Sequence, residues 1–139
     1  MKKVMMILAI VFIYSCSFAS TPPKVVSDAF TKKFPTATKV SWGKEGPKEW
    51  EAEFTLNGEK ISANFGQDGT WLETEQEIKA SSLPAAVLAN VKMKYSDWKI
   101  AEADKTETAK HGIIYEVDLK KGLKSKSLAF KADGTAVKE

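Results

Sequence analysis

The chain has 139 residues, of which 21 are basic and 18 acidic, with one histidine and one cysteine. This length predicts one domain, and so few histidines and cysteines exclude a zinc site of nitrogen and sulfur ligands. Every basic residue is a lysine, whereas phosphate recognition relies on arginine and on a basic patch. We therefore expect no nucleic-acid partner.

The N-terminus has the pattern of an export signal. Lys2 and Lys3 precede an apolar run of roughly 11 residues, shorter than the ~20 that span a bilayer, and the small residues of Ser17–Ala19 follow. We predict a signal peptide over residues 1–19 and a periplasmic domain over residues 20–139. This domain lacks cysteine, which excludes disulfides and Cys–His catalysis.

Cys16 leaves a second possibility for the N-terminus. The segment Ile13-Tyr14-Ser15-Cys16 loosely resembles the motif in which a cysteine is lipidated, where small Ser15 fits and bulky Tyr14 fits poorly. Lipid at Cys16 would anchor the domain to a membrane of the envelope. We expect membrane contact only in that case, and secretion is the remaining alternative.

Two segments are predicted to be helices. Pro23 and Pro84 suit a helix start, where the missing N–H is harmless, and Pro35 ends the first helix. Apolar residues then recur at every fourth position and form one stripe in each helix. The stripes contain Val26, Phe30 and Phe34 in the first helix and Val87, Val91 and Tyr95 in the second.

Alternation of apolar and polar residues predicts strands at 49–54 and 60–65. Asn57-Gly58 between them is a strong signal for a two-residue hairpin. Trp42 and Trp50 fall on the apolar side and are expected in the core.

Further strands are predicted at 39–42 and, after a turn at Asp68-Gly69, at 71–75. In 124–130 the apolar side also carries lysines, so we expect either a bulge or burial at one end only.

Internal similarity extends over most of the chain after residue 20. We interpret it as an α+β fold of two tandem repeats, at about residues 22–78 and 82–139. Each repeat would be one helix packed on an antiparallel β-meander of about four strands. Whether these strands form one continuous sheet or two adjoining sheets stays open. The clearest matched pairs are Trp50–Phe54 with Tyr115–Leu119 and Phe65–Thr70 with Phe130–Thr135.

These residues also resemble a known family. The pattern runs through Pro23-x-x-Val26-x-x-x-Phe30, Phe34-Pro35, Val40-x-Trp42, Trp50–Phe54 and Asp68-Gly69-x-Trp71. It is similar to the β-lactamase-inhibitor-like, PepSY-like family of small exported bacterial proteins, over about residues 22–139. The resemblance implies a periplasmic or envelope location, a duplicated helix-on-sheet unit and protein binding through the open face of the sheet.

Alternating glutamates mark the sheet face that we expect to meet solvent. Glu51 and Glu53 alternate along one strand, Glu73 and Glu75 along another, and Trp71 has the parity of the second pair. We interpret these five residues as candidate contacts for a protein of the envelope, since tryptophan is enriched among residues that dominate binding energy. The alternative is that Trp71 covers the sheet edge or docks between the two repeats.

Three other roles compete with protein binding. Carboxylates two residues apart lie ~7 Å from each other, which suits an inverting glycosidase, but a catalytic acid also needs a pocket that raises its pKa. Calcium binding needs about six to eight oxygens, and the turn at residues 66–69 offers few. The third role is that of a passive envelope lipoprotein lipidated at Cys16.

The sequence as a whole predicts a non-catalytic binding module that inhibits or modulates an envelope protein or peptidase. We expect no catalytic, cofactor-binding or metal-binding residues. His111, the only histidine, lies in a polar stretch that predicts a solvent-exposed loop without an orienting partner.

Overall fold

The computed structural model describes residues 20–137. The predicted signal peptide and the lipidation motif at Cys16 therefore lie outside the described residues. Within residues 20–137, no helix combines the length and the apolar character needed to cross a membrane.

The described chain runs as one helix and four strands, followed by a short 3-10 turn, a second helix and three strands. The elements are α1 (Lys24–Lys33), β1 (Thr38–Lys44), β2 (Glu49–Leu56), β3 (Glu59–Gly66), β4 (Trp71–Glu77), the turn Ala80–Ser82, α2 (Ala85–Lys94), β5 (Lys99–Thr108), β6 (Gly112–Lys121) and β7 (Lys124–Phe130). An α+β fold is thus confirmed.

All seven strands form one continuous antiparallel sheet in the order β1 to β7. β4 pairs with β5, which answers the question of one sheet or two. The second half contributes three strands rather than about four, because only an isolated bridge between Phe130 and Ala136 follows β7. At the predicted β2–β3 hairpin, Asn57 and Gly58 have φ values of 53° and 87°, as a type I′ turn requires.

The first half of the core forms where α1 packs on strands β1 to β4. Val26 and Phe30 are buried along the predicted stripe, and Phe34 continues it. Trp50 is buried in the same cluster and Trp42 packs against it, so the expected core positions of both tryptophans are confirmed.

The second half of the core forms under α2. Val87 and Val91 are buried there, with Tyr95 partly buried at the end of the stripe. In β7 the pairing to β6 is regular, and burial increases from exposed Lys124 to buried Phe130. Burial at one end, rather than a bulge, explains the lysines in this strand.

Both helices cover the same face of the sheet. Ala63 in the first cluster and Ala103 in the second share a face, because the register runs from Ala63 through Thr74 to Glu107 across β3, β4 and β5. The other face is not covered by a helix of the described residues. It is the face on which the alternating glutamates lie.

The Asp68-Gly69 turn fixes the approach of β4 to the start of α1. Gly69 has φ +84°, and a Cβ on it would lie 2.8 Å from the carbonyl oxygen of Val25. Asp68 Oδ1 accepts a hydrogen bond of 2.9 Å from the backbone N–H of Thr70 and stabilises the turn.

We expect Gly69→Ala to lower the free energy of unfolding by about 2–3 kcal/mol, because it adds a steric clash to the strain of a left-handed backbone. Urea denaturation followed by circular dichroism measures this change. Gly58→Ala is the matched control, since Gly58 has φ +87° with no atom within 4 Å of its Cβ position; it should cost about 1 kcal/mol. Equal losses in the two variants would show that the contact with Val25 is unimportant.

Candidate functional site: the acidic face of the sheet

Carboxylates from four strands converge on the uncovered face of the sheet. Side chains of alternate residues on a strand share a face, and the cross-strand register relates one strand to the next. The acidic face, as defined here, comprises Glu49, Glu51, Glu53, Glu73, Glu75, Glu77, Glu102, Asp104, Glu116 and Asp118.

The four glutamates singled out from the sequence lie together on this face. Residues of β3 stand between them: Asn64 is opposite both Glu51 and Glu73, and Ser62 is opposite both Glu53 and Glu75. Asn64 Nδ2 donates a hydrogen bond of 3.4 Å to Glu73 Oε1. The face therefore has two acidic rows separated by the polar row of β3, in which Ser62 and Asn64 are neutral and Lys60, opposite Thr55, is basic.

Sequence reasoning missed the acidic residues of the second half. Glu77 is opposite Asp104, which in turn is opposite Glu116, and Glu102 is opposite Asp118. Alternation in residues 102–104 and 116–118 could have revealed these carboxylates. Their union with the first half could not be foreseen, because it depends on the pairing of β4 with β5.

The position predicted for Trp71 is wrong. Asn64 pairs with Glu73 while Phe65 pairs with Trp71, so Leu72 is an extra residue in β4 and reverses the parity. Trp71 consequently lies on the helix side and packs against the first core cluster.

Contacts on the helix side hold the indole of Trp71 in place. Its Nε1 donates a hydrogen bond of 2.9 Å to Thr74 Oγ1, and Lys33 Nζ lies 3.7 Å from the ring centroid. Trp71 therefore does not share a surface with the four glutamates. The sheet-edge alternative considered from the sequence is wrong, because β4 is the middle strand; the contacts give Trp71 a structural role beside the first core cluster.

Glu75 occupies the most protected part of the acidic face. It lies in β4, the middle strand of seven, between Ser62 on β3 and fully buried Thr106 on β5. Burial, followed by repulsion from carboxylates such as Glu73 and Glu116, raises the pKa of Glu75 from 4.5 to about 8. This side chain therefore retains a proton at neutral pH in a large fraction of molecules.

Other carboxyl groups of the face are affected in the same way. Burial, followed by repulsion from nearby carboxylates, raises the pKa of Glu51 and of Asp104 to about 7. The pKa values of Glu73 and Glu102 are also raised, with burial as the largest cause. The carboxyl groups of raised pKa thus keep part of their protons near neutral pH, and a cationic partner could displace these protons.

The raised pKa values on this face have burial and shared charge repulsion as their causes, a pattern unlike that of an acid–base pair. A glycosidase needs one carboxyl group of raised pKa beside one that stays ionised, whereas Glu51, Glu73 and Glu75 are all shifted upward. A fourth carboxylate of the face, Glu116, has a local structural partner, because Thr106 Oγ1 donates a hydrogen bond of 3.0 Å to its Oε2. A carboxylate-based hydrolase therefore gains no specific support from this arrangement.

Asp68, in the turn considered for calcium, and His111, the only histidine of the sequence, have local structural partners. Asp68 uses a carboxylate oxygen to cap its own turn. His111 lies in the β5–β6 turn, where its backbone N–H donates to Thr108 Oγ1 at 2.9 Å. Within residues 20–137, no three His, Cys, Asp or Glu side chains are grouped so that they could hold a metal ion.

Comparison with known proteins relates this architecture to a bacterial family. Residues 48–138 match the model of the family described as "Putative beta-lactamase-inhibitor-like, PepSY-like". No curated protein matches the chain.

Several solved structures share the fold. A BLIP-like protein from Bacteroides fragilis is 25% identical, with a TM-score of 0.75 over 86% of this chain and 85% of that chain. A DUF2874 family protein from Bacteroides ovatus is 23% identical, with a TM-score of 0.76 over 86% of each chain. A structure described as "putative periplasmic proteins" from Bacteroides eggerthii is 20% identical, with a TM-score of 0.75 over 86% of this chain and 88% of that chain.

Proposed function

Since the chain belongs to the β-lactamase-inhibitor-like, PepSY-like family, we propose that it is a non-catalytic exported module that binds another protein of the cell envelope. The partner docks on the acidic face. Glu51, Glu53, Glu73 and Glu75 form the centre of the contact surface, and Trp71 is excluded because it lies on the helix side.

One observation carries this proposal: carboxylates from four strands lie on one uncovered face of a continuous sheet. The fold does not need them there, since like charges on neighbouring strands are destabilising. The ion pairs Lys24–Asp28 and Lys121–Asp97 both lie away from this face. Such a concentration of charge suits a partner that supplies the cations itself.

The partner is accordingly a protein with a basic surface. Its lysines and arginines would displace the protons held by Glu51 and Glu75 and would form charge-assisted hydrogen bonds. Electrostatic complementarity would also speed the encounter and exclude acidic proteins. A specific interface buries about 800 Å² on each partner, so the docked protein must cover several strands of the acidic face.

The proposal includes a duplicated unit of one helix on an antiparallel meander, which accounts for the width of the acidic face. The two helix starts are contacted alike: a Cβ on Gly69 would lie 2.8 Å from the carbonyl oxygen of Val25, and one on Gly134 would lie 2.9 Å from that of Ala86. In both turns the aspartate before the glycine accepts a hydrogen bond from the backbone N–H two residues on. Two such units side by side form the seven-stranded sheet.

The proposed site of action is the periplasm, with anchoring through Cys16 or secretion as alternatives. The export pattern of residues 1–19 supports it. The fold is also shared with the Bacteroides eggerthii structure described as periplasmic.

Affinity capture from envelope extract tests the proposal, with the processed domain as bait at about pH 8, where more of the raised-pKa carboxylates are ionised. We expect one enriched protein with a basic surface, and its retention should fall at least about tenfold with Glu73→Gln/Glu75→Gln, because buried charge pairs at interfaces contribute about 2–5 kcal/mol. These substitutions remove repulsion, so misfolding would not explain the loss.

Glu59→Gln/Glu107→Gln is the matched control, since it removes the same charge outside the acidic face. The control should retain the partner. Equal loss of partner retention in both variants would show that net charge alone causes the effect. Unchanged retention in both would overturn the assignment of the surface.

A further inference from the structure

Lysines concentrate at one end of the second half of the molecule. The end is formed by the last turn of α2, the start of β5 and the β6–β7 hairpin. This basic tip comprises Lys92, Lys94, Lys99, Lys120, Lys121, Lys124 and Lys126. The ion pair with Lys121 brings one carboxylate, that of Asp97, into the group.

Two contacts join the helix end and the hairpin into one surface. Lys126 Nζ lies 5.6 Å from the ring centroid of Tyr95, the residue that follows α2. Lys121 on the hairpin pairs with Asp97 in the segment between α2 and β5. These contacts hold the hairpin lysines beside those at the end of α2.

The hairpin places like charges directly opposite each other. Lys99 pairs with Lys120 across β5 and β6, and Lys121 pairs with Lys124 across the β6–β7 turn. Such pairs destabilise a sheet. The β2–β3 hairpin shows that the fold does not require them, since Leu56 is opposite Glu59 at the corresponding place.

An apolar side chain stands at the apex of this charged hairpin. Leu123 follows Gly122, whose φ is +59°, and its side chain is fully exposed. Met93, between two lysines of the last turn of α2, is 73% exposed. Neither side chain is part of the two core clusters.

We propose that the basic tip docks on an anionic lipid bilayer, with Leu123 entering the headgroup region and the lysines binding lipid phosphates. Exposed apolar residues flanked by lysines fit such a surface, because the long lysine stems reach along the interface while the apolar group is buried. This surface borders the acidic face, since Lys99 and Lys120 lie beside Glu102 and Asp118 on the same side of the sheet, whereas the other lysines of the tip lie outside that face.

A bilayer fits the tip better than a nucleic acid. Nucleic-acid recognition favours arginine, and the tip contains only lysine; an apolar apex also gains nothing from a phosphodiester backbone. The inference departs from the sequence-based expectation that membrane contact requires lipid at Cys16. The near balance of charge in the sequence does not reveal that most of the lysines of the second half lie at one end of the sheet.

Vesicle sedimentation tests the inference on the chain purified after export and carrying Cys16→Ser, so that attached lipid cannot contribute. The probes are vesicles of phosphatidylcholine with and without phosphatidylglycerol. We expect binding to the anionic vesicles alone and its loss at high salt. Lys120→Gln/Lys124→Gln should lower the partition coefficient about 25-fold, since each lysine near an anionic surface contributes about fivefold, and Leu123→Ser should lower it several-fold.

Lys48→Gln/Lys110→Gln is the charge-matched control, because these lysines lie at the opposite end of the sheet, in the β1–β2 connection and the β5–β6 turn. It should bind like the parent chain. No binding to anionic vesicles at low salt would overturn the inference, as would equal losses in both double variants. Heparin binding as strong as vesicle binding and insensitive to Leu123→Ser would identify a general polyanion site instead. None of these results depends on the acidic face.

Discussion

The protein is expected to be more stable at about pH 5 than at about pH 9, by about 3–5 kcal/mol in the free energy of unfolding. The cause is the acidic face, where the pKa of Glu75 is raised from 4.5 to about 8 and those of Glu51 and Asp104 are raised to about 7. Groups of raised pKa bind protons more tightly in the folded state than in the unfolded chain. Their contribution to stability is therefore complete below the unfolded pKa values, near 4, and is lost as pH rises through 7 to 8.

The magnitude is smaller than the sum of the separate shifts. One pKa unit corresponds to about 1.4 kcal/mol, but the repulsion is shared among neighbouring carboxylates. Glu51 and Asp104 are also partly solvated, which screens them. The lowered pKa values of Asp68 and Asp133, caused by hydrogen bonds from Thr70 and Thr135, act only below about pH 4 and leave this window unaffected.

Urea denaturation across this pH range measures the effect, and Glu75→Gln identifies its source. At about pH 9 this variant should be about 2 kcal/mol more stable than the parent, because the neutral amide removes a charge that is both partly buried and repelled by its neighbours. At about pH 4 the difference should vanish, since Glu75 is then protonated. Glu53→Gln, exposed on the same face, should change stability little. A stability maximum above pH 8 would contradict the prediction.

Phe30→Ala should lower the free energy of unfolding by about 4 kcal/mol, near the upper end for removal of a buried aromatic ring. The ring of Phe30 is the centre of the first core cluster. Its centroid lies 5.4, 5.3, 5.0 and 6.1 Å from those of Phe34, Trp42, Phe54 and Phe65, respectively. Alanine at this position would leave a cavity beneath α1 that these rings can fill only in part.

Val25→Ala provides the control on the same helix. Val25 is half exposed, and alanine has the higher helix propensity, so this change should cost less than about 0.5 kcal/mol. Thermal and urea denaturation followed by tryptophan fluorescence would report both variants. A loss below about 2 kcal/mol for Phe30→Ala would mean that the aromatic cluster repacks freely.

Local patterns in the sequence predicted the elements well where each pattern depends on near neighbours. The every-fourth spacing of Val26 and Phe30 gave the buried side of α1, and Asn57-Gly58 gave a two-residue hairpin. The alternation of Glu73 and Glu75 placed both on the open face. The predicted side of Trp71 was wrong because Leu72 forms a bulge. A bulge is defined by the pairing with the partner strand, which the local alternation does not show.

The sequence by itself determined the class of fold, the positions of the two helices and most strands, and the two sets of apolar residues that become the core. Only the tertiary structure decided that the strands join through β4 and β5, since Glu75 and Thr106 are neighbours there although 31 positions separate them. That single pairing converts separate acidic strands into one acidic face and places Glu75 at its centre. Burial and repulsion both depend on distances across strands, so the proton affinity of this face is a property of the assembled sheet.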